Sequence, residues 1–131
     1  MEYLNVIAAA IGAFAFGAIW YTTMAKPWMA AAEIEMDANG KPKGSGSAMP
    51  FVIGIAAMIL VAGMMRHMFQ TSGVVTVGGG LVAGLGVGVF FITPWMAMNY
   101  AFAMRKSSLT VVDGVNASVG CAIMGMILNL F

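Results

Sequence analysis

Charge is what this sequence has least of. Its 131 residues hold 6 Lys and Arg and 5 Asp and Glu, 8% charged, where soluble domains carry about 25%. So few charges cannot cover a soluble domain's surface. The net charge of +1 gives no basic field, and no nucleic-acid partner is expected. A single cysteine, Cys121, excludes an intrachain disulfide and a multi-cysteine metal site. A single histidine, His67, leaves little for acid–base chemistry. No nucleophile–base arrangement stands out in the spacing of Ser, Thr, His and Asp. The composition therefore predicts no catalytic residue, no metal, no cofactor and no enzyme.

What is abundant is uncharged length. Tyr3–Ala25 has no ionisable group beyond two phenols, Gly44–Met65 has none, Met68–Met104 has only Tyr100, and Gly114–Phe131 has only Cys121. A hydrocarbon core of ~30 Å takes roughly 20 apolar helical residues. The expected fold is all-α: one integral membrane bundle of four transmembrane helices, at about 3–24, 50–69, 76–104 and 109–130, with the lipid bilayer as partner. Glu2 stands where a secretory signal would have a basic segment, so the first helix is expected to be retained. Between the first two helices lies a polar loop. Its end, residues 37–47, is rich in turn formers and is expected to be mobile.

Loop charges predict the orientation. Lys26, Lys41, Lys43, Arg105 and Lys106 belong to the first and third loops, and Arg66 stands alone at the other end. Lys and Arg accumulate on the cytoplasmic side, which makes both termini periplasmic. Trp20, Tyr21, Trp28 and Tyr100 fall near the cytoplasmic ends of their helices, as interfacial anchors do. Pro27-Trp-Met-Ala30 recurs as Pro94-Trp-Met-Ala97. That is either two parallel helix-hairpin repeats or coincidence in a chain rich in Ala and Met.

Helix three carries Gly80, Gly84 and Gly88 on one face, and helix four offers Gly114, Ser118 and Ala122 with Cys121 and Gly125. Small residues let membrane helices approach closely. These faces pack either against each other or against another subunit. Helix three is also overlong, and Pro94 leaves a carbonyl near Phe90 without its amide partner, so a kink is expected there.

Apart from Glu2, Asp113 is the only carboxylate close to an apolar span. An acid at membrane depth invites a functional reading. Asn116 follows on the same face, and Asn99 and Trp95 are expected at similar depth, giving a polar pocket near the cytoplasmic face. A competing reading has Thr110-Val-Val-Asp113 as a helix-start capping box, with Arg105 or Lys106 pairing with the acid. His67 is expected nearly a bilayer away from Asp113. Met64, Met65 and Met68 are expected to be apolar filling rather than copper ligands, because Arg66 stands among them.

Gly17-Ala-Ile-Trp-Tyr21, Trp28-Met29, Pro94-Trp95, Asn99-Tyr-Ala-Phe102, Arg105 and Asp113-Gly114 together resemble a bacterial family of small membrane proteins, domain of unknown function 1761. The family often has Ser-Pro after Trp-Tyr, where this chain has Thr22-Thr23, and an aromatic after Asp-Gly, where it has Val115-Asn116. The resemblance implies four membrane helices in a bacterial inner membrane and brings no activity or cofactor. With chemistry scarce and small-residue faces prominent, the leading expectation is a protein that acts by assembly, as a homo-oligomer or as an accessory subunit with other membrane-complex subunits. The alternative is a small-solute or ion transporter component using the polar pocket.

Overall fold

The computed structural model describes residues 3–43 and 46–131; Glu2 and the part of the 37–47 loop formed by Gly44 and Ser45 lie outside the described residues. The order is α1 (Leu4–Thr23), α2 (Ala25–Ala32), α3 (Met49–Ser72), α4 (Val77–Val87), a π-helical turn (Gly88–Ile92), α5 (Thr93–Phe102) and α6 (Ser107–Leu128). Among the described residues four helical segments are long and apolar enough to cross a membrane: α1, α3, α6 and the joined stretch Val77–Phe102. The chain is a multi-pass membrane protein. Leu60, Phe90 and Phe102 are each about three-quarters exposed or more, as lipid-facing side chains should be.

The first loop contains the short helix α2. Ala25-Lys-Pro-Trp-Met-Ala-Ala-Ala32 is alanine-rich, and Pro27 sits early enough in the helix to be tolerated. Its last carbonyls are held from the third loop: Arg105 Nη1 donates to Ala32 O at 3.1 Å and Lys106 Nζ to Ala30 O at 3.4 Å. Cations there suit the helix C-terminus. The described part of the next loop is a closed turn rather than a loose one. Asp37 Oδ1 accepts from the amides of Asn39 and Lys41, and Lys43 returns to Glu35 through both backbone and side chain.

Helix α6 is the hub. It packs against α1, α4, the π turn, α5, α2 and α3. Its partners on the α4 side are backbone. A Cβ on Gly80 would overlap the carbonyl of Gly125, one on Gly84 the carbonyl of Cys121, and one on Gly88 the backbone of Ser118 and Ala117. The rising numbers on α4 meet falling numbers on α6, so the two helices are antiparallel. Both small-residue faces are therefore occupied within one chain. On the α1 side, Gly12 lies against Ile127 and Ile123, and Gly120 against Ala13.

The span Val77–Phe102 is not continuous α-helix. Thr93 N–H reaches back five residues to Gly88 O, which widens the turn just before Pro94 and absorbs the missing amide. Thr93 does not turn to the Phe90 carbonyl. Its Cγ2 lies where a Cβ on Gly114 would come within 2.9 Å, and its hydroxyl lies 3.5 Å from Gly114 O. The two Pro-Trp-Met-Ala segments differ in surroundings. Trp28 packs edge-on against Tyr21 at 5.8 Å between ring centroids, whereas Trp95 is 68% exposed. The packing is not two-fold either, since α1 lies along α6 while α4 has no comparable contact with α3.

Helix α3 is held mainly at its far half. Ala62, Met65 and Phe69 join Val6, Ala9 and Ala13 of α1 and Cys121, Met124 and Leu128 of α6 in the core. Met65 is thus core filling, while Met64 is exposed. No group of three metal-binding acids, histidines or cysteines occurs among the described residues.

The glycine contacts predict a selective response. Gly84→Ala must push α6 away and should cost about 2 kcal/mol or more, read as thermal unfolding in detergent. Gly86→Ala, which meets nothing within 4 Å, should be neutral or stabilising by up to about 1 kcal/mol. Equal effects would contradict the packing described.

Candidate functional site

Asp113 is the seventh residue of α6, one turn beyond any helix start. It therefore does not cap the helix, and the capping-box reading is set aside for that reason. Nor is it paired with Arg105 or Lys106, which are spent on α2. Its partners are two phenols. Tyr21 Oη donates to Asp113 Oδ1 at 2.5 Å and Tyr100 Oη to Oδ2 at 2.6 Å. A carboxylate can accept at both oxygens, and here each oxygen receives one proton donor from a different span. Next to this cluster, Trp20 Nε1 donates to Val112 O at 3.0 Å. Three of the four aromatics expected as interfacial anchors, Trp20, Tyr21 and Tyr100, are thus hydrogen-bonded into α6. The fourth, Trp28, packs edge-on against Tyr21.

The expected pocket of Asp113, Asn116, Asn99 and Trp95 is only partly assembled. Successive helical residues point about 100° apart, so Tyr100 facing α6 turns Asn99 away. Asn99 and Trp95 line a shallow outer depression with Phe91, and both are exposed. Asn116 does stay with Asp113, on the α1 side of α6. Its Oδ1 is buried without a hydrogen-bond partner, and a Cβ on Gly17 would stand 3.3 Å from it.

Beside this cluster the near half of α3 meets α1 through Phe14, whose ring packs edge-on against Phe51 and lies against Gly54, and a cleft of about 640 Å³ opens next to that contact. Phe14, Phe51, Met58 and Trp28 make its walls apolar, Pro42 from the closed turn reaches its mouth, and Tyr21 and Asn116 are its polar floor. A narrower cavity of about 220 Å³ continues from Asn116 between α3 and α6, past Gly54, Val61 and Cys121. Ligand sites are commonly apolar clefts of ~300–1,000 Å³ with a few placed polar groups. The arrangement can hold an uncharged or amphiphilic molecule with its polar end at Tyr21 and Asn116. It offers no nucleophile with an adjacent base. His67 lies exposed near the opposite end of α3.

The family model described as "Protein of unknown function (DUF1761)" matches residues 4–129. The chain belongs to this family. No curated protein and no solved structure matches it. Tyr21, Asp113 and Tyr100, which meet in the fold, all stand among the residues that carried the family resemblance.

If Trp20 were a simple anchor, its replacement would cost as little as that of Trp95. Trp20→Phe instead loses an interhelical hydrogen bond and should lower stability by about 0.6–1.7 kcal/mol. Trp95→Phe should stay within about 0.5 kcal/mol. Denaturation in mixed micelles distinguishes the two.

Proposed function

We propose that this chain is a non-enzymatic membrane protein that binds a small molecule in the cleft between α1, α2, α3 and α6, as the binding component of a small-solute transport system. The observation that carries this reading is the cleft itself: a space of about 640 Å³, apolar on its walls, with Tyr21 and Asn116 at its floor. The other opening of comparable size, about 550 Å³ beside Phe91, Trp95 and Asn99, is a shallow depression on the outer face of α5. The cleft coincides with the one intramembrane carboxylate, through Tyr21. Assembly alone has less behind it, because the small-residue faces of α4 and α6 are taken up by each other. Four spans are few for a transporter, so the binding unit would work as a homo-oligomer or with other membrane-complex subunits, joined through its exposed apolar faces.

The membrane we propose is the bacterial inner membrane, with the cleft mouth on the cytoplasmic side and both termini periplasmic. The support is the placement of five of the six Lys and Arg in the first and third loops. Asn39 is exposed in the closed turn. An Asn39→Cys, Cys121→Ala protein should therefore resist an impermeant maleimide on intact cells and react after lysis. Labelling of intact cells would reverse the orientation.

Ala18 lines the cleft, so Ala18→Phe should fill part of it without disturbing the helix packing. Protein purified in mild detergent should carry an adduct of on the order of a few hundred daltons in native mass spectrometry. The Ala18→Phe protein should lose it while unfolding at the same temperature. An adduct retained equally by both proteins, or by neither, would defeat the cleft reading.

A further inference from the structure

A second, separate cavity lies at the opposite end of the bundle. It holds about 250 Å³ and collects Asn5 of α1, Arg66 and Gln70 of α3 and Asn129 after α6, with Phe69 and Phe131 as apolar neighbours. Arg66 is the only Lys or Arg outside the first and third loops. Its guanidinium lies 5.9 Å from the ring centroid of Tyr3, which fits a cation–π contact at the first residue before α1. This end of the bundle, where α1 begins and α3 and α6 finish, falls at the headgroup level of the bilayer.

Two of the groups there have defined hydrogen-bonding needs. Asn5 Nδ2 donates to Leu128 O at 3.2 Å, which fixes which way the amide points, and its Oδ1 is then left buried with no partner. An unmet buried acceptor costs about 1–3 kcal/mol, and a donor brought by an occupant would remove that cost. Arg66 asks for the opposite: its planar fork of donors suits a phosphate. Asn129 is turned toward α4, giving one of its two amide hydrogens to Thr76 O at 2.8 Å. The cavity therefore presents a phosphate-seeking cation and an acceptor that needs a proton donor, within one small volume at the membrane surface.

We infer that this cavity binds the headgroup of a phospholipid bearing a primary ammonium, with the phosphate on Arg66 and the ammonium N–H directed to Asn5 Oδ1. Phosphate alone would leave Asn5 unmet, and a quaternary ammonium has no N–H to give. The acyl chains would run down α3 on the side of Arg66, past Gly63 and Ile59, three and seven residues earlier on the same helix face, where Ile59 is 39% exposed. A volume of 250 Å³ would also take several waters at about 30 Å³ each, so the test must separate a lipid from a hydrated pocket.

The wild-type protein is reconstituted in nanodiscs of equimolar phosphatidylethanolamine, phosphatidylcholine and phosphatidylglycerol, and the retained lipids are counted by native mass spectrometry. Phosphatidylethanolamine should be retained about tenfold over phosphatidylcholine, the ratio that one charge-assisted hydrogen bond of about 1.4 kcal/mol gives. Asn5→Leu should erase that preference while phospholipid is still retained. Arg66→Met should reduce retention of all three about tenfold. Inorganic phosphate added at millimolar concentration should not displace the lipid. Equal retention of the ethanolamine and choline lipids by the wild type would overturn the inference without needing any variant. Unchanged retention in Arg66→Met, with its unfolding temperature preserved, would overturn it too. Competition by phosphate alone would reduce the site to an anion site and overturn it as stated.

Discussion

In a bilayer a carboxylate has no water to fall back on, and the arrangement of this bundle follows from how Asp113 is satisfied. Each of its oxygens takes one phenolic proton, from Tyr21 on the first span and from Tyr100 on the third. One side chain thereby ties three spans together at one depth. Because Tyr21 must reach α6, the last turns of α1 are drawn against it, and Trp20 adds its own bond to Val112. Because Tyr100 must reach the same atom group, α5 cannot drift from α6. The widened turn at Gly88–Ile92 lies between that constraint and the glycine contacts of α4.

The rest of the packing is set by backbone proximity. Lipid tails are as apolar as leucine, so apolar burial alone does not hold helices together. Gly80, Gly84 and Gly88 let the α4 backbone lie on that of α6, where van der Waals contact and weak Cα–H···O bonds supply the attraction. α3 has neither device. It is held by Ala62, Met65 and Phe69 in its far half, and in its near half Phe51 and Gly54 meet the ring of Phe14 on α1. The cleft opens beside that single-ring contact. An opening in this place is thus a product of the same rules that close the bundle elsewhere.

Much of this was legible in the residues. Uncharged runs located the four spans, since length and charge are the only requirements a bilayer imposes. The glycine spacing on helix three located its contact face. The partners of Asp113 were harder. Tyr21 and Tyr100 lie near charged loops, where aromatics serve as anchors, and nothing local distinguishes an anchor from a hydrogen-bond donor to another helix. Asn99 is the more polar side chain and Tyr100 the one that bonds Asp113. The two are adjacent in sequence, and only the rotational setting of α5 decides which one faces α6. The short helix α2 was hidden by its flanking charges, although its alanines favour it. The cleft beside α3 had no sequence signal, because it depends on how closely two apolar helices pack rather than on any residue type.

The central claim is that Tyr21 and Asp113 act as one unit across the α1–α6 contact. A double-mutant cycle on Tyr21→Phe and Asp113→Asn, read as unfolding free energy in mixed micelles, measures that directly. The account predicts a coupling of about 1.5 kcal/mol or more, as expected for a hydrogen bond to a charged group. Effects that simply add, to within about 0.5 kcal/mol, would contradict it.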